Sequence, residues 1–202
     1  GQPLNPQKID AMLAAVRARG HDVTLTICAQ RDDARYERDV RAAVAAHAAW
    51  VTLVLDSPRP GYLEHLARCR YGIHGMIGEH FGLAPAEMVR SGCVTFAPAD
   101  GGPVEILGGD ERVLYASDAE AVYKICALLE DPVTCEDVRR RAATVAGGFS
   151  AEGFMRNFLS ACDTLAARHS DSAPDPRVHS QALRTALKRT LPPPVARAVG
   201  RV

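Results

Sequence analysis

The sequence predicts an α/β fold on a parallel sheet, Rossmann-like, with helices on both faces. Short apolar runs of strand type alternate with segments of helical period, the pattern of repeated βα units. The strand runs are near-continuously apolar instead of alternating, as expected when both faces of a sheet are covered.

The elements follow in order. A first helix is expected over 6–19, with Gly20 as its C-terminal stop, before a strand over 22–28. A helix over 34–47 and a strand over 50–55 come next, Trp50 heading the strand as a core residue. A helix over 60–68 leads to a strand at 71–74. Leu83 opens a short helix to Ser91, stopped by Gly92, and Pro85 fits its first turn because an amide there has no intrahelical partner. Strands at 93–97 and 112–116 follow. Ser117-Asp118-Ala119-Glu120 has the form of a capping box, the serine taking an amide and the glutamate reaching back, so a helix should run to about Glu130. Helices over 133–146 and 151–168 complete the series, the last opened by Ser150 as N-cap.

Composition bounds what the chain can do. With 202 residues there is room for one full-sized domain and a tail, which we place at 1–169 and 170–202. The 24 basic residues equal the 24 acidic ones, so overall charge points to neither nucleic acid nor an anionic membrane as main partner. Arg139-Arg140-Arg141 reads as a solvated helix face without interleaved aromatics. The six cysteines are scattered without a C-x-x-C pair, which favours packed, reduced thiols and a cytoplasmic location. No apolar run reaches membrane-spanning length. From Arg168 onward, however, seven basic residues face only Asp171 and Asp175. Beyond a polar, proline-bearing linker at 170–176, residues 179–191 could form one basic amphipathic helix. That tail reads first as a solvated end; docking on a further domain or peripheral contact with an anionic inner membrane face are the alternatives.

The most informative stretch is Glu79-His80-Phe81-Gly82-Leu83-Ala84-Pro85-Ala86-Glu87. It places two carboxylates around a glycine turn and a helix start. Free N–H groups and the partial positive charge of a helix N-terminus favour an anion, a diphosphate above all, while carboxylates accept from sugar and ribose hydroxyls. Alone, the pair could be a loop residue and a solvated helix face. As acid and base of a hydrolase it would need a suitable separation across a scissile bond. His74 and His80 lack a third ligand at metal spacing, and no metal is expected.

The stretch 71–106 resembles the donor-binding C-terminal half of GT-B retaining glycosyltransferases, family 4 or glycosyl transferases group 1. The carrying pieces are the E-x7-E motif at Glu79 and Glu87, Phe81-Gly82 between them, Gly92, and Gly101-Gly102-Pro103 with Glu105. The wording around Glu79 and His80 looks most like the α-1,2-mannosyltransferases of lipid-linked oligosaccharide assembly. The resemblance implies that Glu79 contacts a hydroxyl of the transferred hexose and Glu87 the ribose. It implies that backbone around His80, Phe81, Gly82 and Leu83, with Gly101 and Gly102 in the next loop, holds the diphosphate and sugar. Lys8 would neutralise the leaving diphosphate, although a lysine in a first turn is ordinarily solvated. The arginine the family places before that lysine is absent, Gln2 and Asn5 standing there. The first two strands should end at the nucleotide base.

Also implied is a retaining, metal-independent hexosyl transfer that needs no cofactor, a GDP- or UDP-hexose being the co-substrate. An acceptor glycan, lipid or small molecule would sit on an N-terminal domain outside this chain, and one further strand would precede Gly1. The chain would then be a fragment that binds donor but transfers poorly alone. A non-catalytic scaffold half-domain and a sugar-nucleotide epimerase of the same architecture are the competing readings.

Overall fold

The computed structural model describes residues 6–30 and 34–168. The proposed linker, the basic tail helix, Gln2 and Asn5 lie outside the described residues. Among the described residues thirteen elements follow one another: α1 (Pro6–Ala18), β1 (Leu25–Ala29), α2 (Ala34–Ala45), β2 (Val51–Leu55), α3 (Arg59–Arg68), β3 (Tyr71–Ile73), α4 (Leu83–Arg90), β4 (Val94–Pro98), α5 (Gly102–Ile106), β5 (Leu114–Tyr115), α6 (Asp118–Glu130), α7 (Pro132–Ala146) and α8 (Ala151–Arg168). The chain divides into two compact units, Gly1–Ala146 and Gly147–Val202. All strands belong to the first; α8 belongs to the second, where Ser150 Oγ accepts from the Gly153 amide as N-cap and Phe154 stacks on Phe158.

Every strand pairing is parallel, as expected for an α/β protein. The strands form two sheets, β1-β2 and β3-β4-β5, instead of one continuous sheet. Only β4 has a strand on each side, and only β4 is buried along all five residues. β1 and β2 keep half-exposed positions. Phe96, Val94 and Thr95 of β4, each 1% exposed, are the centre of the core. Helices α4, α5 and α7 pack on β4, and α6 packs on β5 and on α1.

Three local expectations change. Gly101 to Glu105 was expected as a loop, and Gly102–Ile106 is a short helix with Pro103 in its first positions, where proline is pre-shaped for a helix start. Strand β5 is two residues long because the chain before it turns: the Val113 amide donates to the Asp110 carbonyl, and the Arg112 guanidinium is held by Asp110 and Asp137. Trp50 precedes β2 in a turn, where it is only partly buried, tilts on His47 with ring centroids 4.9 Å apart and lies under Arg17. The capping box forms, with Ser117 Oγ accepting from the Glu120 amide; the Glu120 carboxylate reaches back to the Ala116 amide, one residue before the cap. The triple-arginine stretch lies on an acidic, solvated face of α7, Arg139 pairing with Glu136 and the other two with Asp137.

Candidate functional site

The turn from β3 to α4 carries the first carboxylate. After Ile73 the chain leaves the strand at His74, whose amide donates to the Phe96 carbonyl of β4 at 2.8 Å and whose carbonyl accepts from the Tyr115 hydroxyl of β5 at 2.6 Å. The other two strands of this sheet therefore both fix the start of the loop. Gly78 and Gly82 adopt left-handed φ of 73° and 82° to bend it back towards α4. Gly82 is the N-cap of α4 and offers no side chain to the first-turn amides.

Glu79 folds over this turn. Its Oε1 accepts from the amides of Phe81 and Gly82, both at 3.0 Å. Those two bonds, Gly82 first, hold its carboxyl below the usual carboxylate range, because they favour the charged form. The amides that the resemblance assigns to a diphosphate thus already hold a carboxylate in this structure. His80, exposed on the same turn, lowers Glu79 further through its charge. Phe81 and Leu83 are 75% and 66% exposed.

Gly101 and Gly102 are pressed against the back of the same turn. The Gly102 amide donates to the Glu79 carbonyl at 2.8 Å, and a Cβ on Gly101 would stand 2.1 Å from that oxygen. A Cβ on Gly102 would stand 2.5 Å from the Phe81 carbonyl oxygen. These glycines let two backbones touch, which is a tighter requirement than flexibility. A Cβ on Gly82 would meet the end of the Ile106 side chain at 2.6 Å, a contact that side chain can relieve by shifting, so it is the φ of 82° that asks for glycine there.

Glu87 stands one turn into α4 and faces α3. Its Oε1 lies 2.6 Å from Arg59 Nη1, and Tyr62 hydrogen-bonds to it; burial, then the Glu87 charge, push the Tyr62 hydroxyl up to about 12. Helix α3 begins directly after β2, whose end is joined to β1 by the Asp56 amide donating to the Ala29 carbonyl. The carboxyl ends of β1 and β2 and the Glu87 carboxylate thus meet at α3, as expected for an α/β ligand cleft. Lys8 of α1 pairs with Asp118 at 2.9 Å, at the start of α6. Asp118 in turn acts on the Tyr115 hydroxyl that bonds to His74, which brings Lys8 to the same end of the sheet as Glu79.

Four residues that the sequence reading left without a role join the site. Arg59 and Tyr62 brace Glu87, Tyr115 fixes His74, and Asp100 accepts from the Gly78 amide at 3.0 Å. Only position in the fold reveals them; Arg59 stands 28 residues before Glu87 and belongs to no shared motif.

At the strand ends of a parallel α/β unit, a glycine turn, a side-chain-free helix start and two braced carboxylates place backbone donors suited to an anion beside acceptors suited to hydroxyls. Three curated proteins are similar to the chain. The chain is 29% identical over 108 residues to a Xenopus laevis protein, 30% over 131 residues to one from Neurospora crassa, and 29% over 111 residues to one from Xenopus tropicalis. Each is named GDP-Man:Man(3)GlcNAc(2)-PP-Dol alpha-1,2-mannosyltransferase. The matches cover 50%, 61% and 50% of this chain and 22%, 23% and 22% of the relatives, so the chain spans less than a quarter of the length of the curated relatives it matches. They support a glycosyltransferase relationship. No family model matches the chain. No described helix is long and apolar enough to cross a membrane.

Proposed function

We propose that this chain is the donor-binding part of a retaining, metal-independent glycosyltransferase that transfers a hexose, mannose by preference, from a nucleoside diphosphate. The observation that carries the reading is the turn itself, in which adjacent amides at Phe81 and Gly82 hold an anionic group at the start of α4 while Glu87 waits one helical turn further on. A diphosphate suits the amides, because charge-assisted bonds to phosphate oxygens and the helix dipole act together. Glu87, paired with Arg59, suits ribose hydroxyls, and Glu79 a hexose hydroxyl.

The names of the similar proteins support GDP-mannose as donor and a lipid-linked glycan as acceptor. In this reading Glu79 positions the sugar and is no nucleophile, and Lys8 faces the leaving diphosphate once it exchanges Asp118 for it. Arg59 adds a second cation on the ribose side. The acceptor sits on a further domain, for which the exposed Ile77, Phe81 and Leu83 offer an apolar face.

Amide chemical-shift mapping with GDP-mannose tests the proposal. Shifts concentrated at Phe81, Gly82, Leu83, Gly101 and Gly102 are expected. Shifts confined to the surface around Gly108 and Arg141 would place the ligand elsewhere and defeat the reading.

A further inference from the structure

His74 is buried to 4% exposure, and its Nε2 has no hydrogen-bond partner among the described residues. A buried ring nitrogen without a partner is costly and calls for an explanation. The atom stands 3.8 Å from Glu79 Oε2, the oxygen that the Phe81 and Gly82 amides leave over. About one ångström of movement by the carboxylate would make a hydrogen bond.

We propose that an anion entering this turn takes the Phe81 and Gly82 amides from Glu79, and that His74 receives the displaced carboxylate, its Nε2 donating to Oε2. His74 is then the positioning residue of Glu79, and Glu79 is a built-in competitor for the diphosphate subsite. The inference rests on reading this turn as the site of a diphosphate-bearing ligand. It follows from charge that the exchange is proton-linked. A carboxylate pushed beside a phosphate is repelled by it, and a protonated imidazole removes that repulsion.

The surrounding groups fit such a linkage. Glu79 and His80 share the loop; Asp100, after β4, is tied to the Gly78 amide; from β5 the Tyr115 hydroxyl holds the His74 carbonyl; and Lys8 of α1 and Asp118 of α6 neutralise each other beyond it. Glu79 is therefore the group that acts on the ring. Burial first, against a smaller opposing effect of Glu79, keeps the imidazole below its ordinary value, and a ligand that moves the carboxylate closer strengthens the opposing effect. Binding then raises the His74 value, and affinity grows as pH falls through the bound-state value, levelling off below the free-state one.

Titrating the full chain with inorganic pyrophosphate, following the His74 ring by NMR and proton uptake by calorimetry in two buffers, tests this. The His74 titration should move up by about one unit, and binding should tighten by up to roughly tenfold as pH falls from above the bound-state value to below the free-state one. His74→Gln should still bind but lose that pH-linked part, which also separates it from the protonation of pyrophosphate itself. Glu79→Ala should bind pyrophosphate more tightly than the parent, because the amides are free; Glu79→Gln, used if alanine impairs folding, keeps a weaker neutral acceptor on them and should also bind more tightly, because the competing charge is gone. Unchanged or weaker binding by the Glu79 variant, or a His74 titration that pyrophosphate does not move, overturns the inference. Pyrophosphate binding with proton uptake but no preference for nucleotide sugars upholds it and removes the donor-site reading. Nucleotide-sugar binding with His74 unmoved does the reverse.

Discussion

The two carboxylates of the site are held in opposite ways, and so are the regions that carry them. Glu79 sits over the β3-β4-β5 sheet on a turn fixed by backbone, its side chain on two amides and its carbonyl on a third. Glu87 is braced from the β1-β2 side by side chains alone, Arg59 and Tyr62 of α3. Beneath Glu79 lies β4, buried throughout; on the other side β2 has one buried residue of five. The first side is held by buried backbone and the second by partly exposed side chains, which makes the second the easier to move.

Substitutions should expose this asymmetry. Phe96→Ala at the centre of β4 should cost about 3–5 kcal/mol by thermal or denaturant unfolding, whereas Leu53→Ala in half-exposed β2 should cost well under half of that. Equal losses would remove the distinction between the two sides. Gly101→Ala puts a Cβ into the Glu79 carbonyl at a left-handed φ of 64°, and about 3 kcal/mol of stability should go with it. An unaffected variant would mean that the two backbones do not touch. Tyr115→Phe leaves the buried His74 carbonyl without its donor and should cost about 1–3 kcal/mol. Arg59→Ala breaks a pair whose arginine is 68% exposed, so stability should move by less than about 1 kcal/mol while nucleotide affinity changes. A large stability loss there would make the α3 side as firmly held as the other.

Much of this was legible in the sequence. Apart from α5, the strand and helix order, the capping box at Ser117 and the Ser150 cap follow from local chemistry, which tertiary packing leaves in place. So does the turn at Gly82, since only a glycine takes that φ without strain. The split of the sheet was not legible, because strand pairing depends on partners distant in sequence. Nor was the use of the Phe81 and Gly82 amides by Glu79: a motif gives residue types and spacing, while the competition between a side chain and a ligand for the same donors exists only in three dimensions. Helix α5 was hidden because Gly101-Gly102 reads as a turn signal, and Pro103 outweighs it only once the turn behind Glu79 is packed against it.

The donor-site claim is tested most directly by calorimetric titration of the chain with guanosine and uridine diphosphates and their hexose conjugates, beside Glu87→Ala. Selective binding of one nucleotide, lost in Glu87→Ala while that variant unfolds at the parent's temperature, is the predicted result. A folded chain that binds none of them, or binds one equally well without the Glu87 carboxylate, would contradict it.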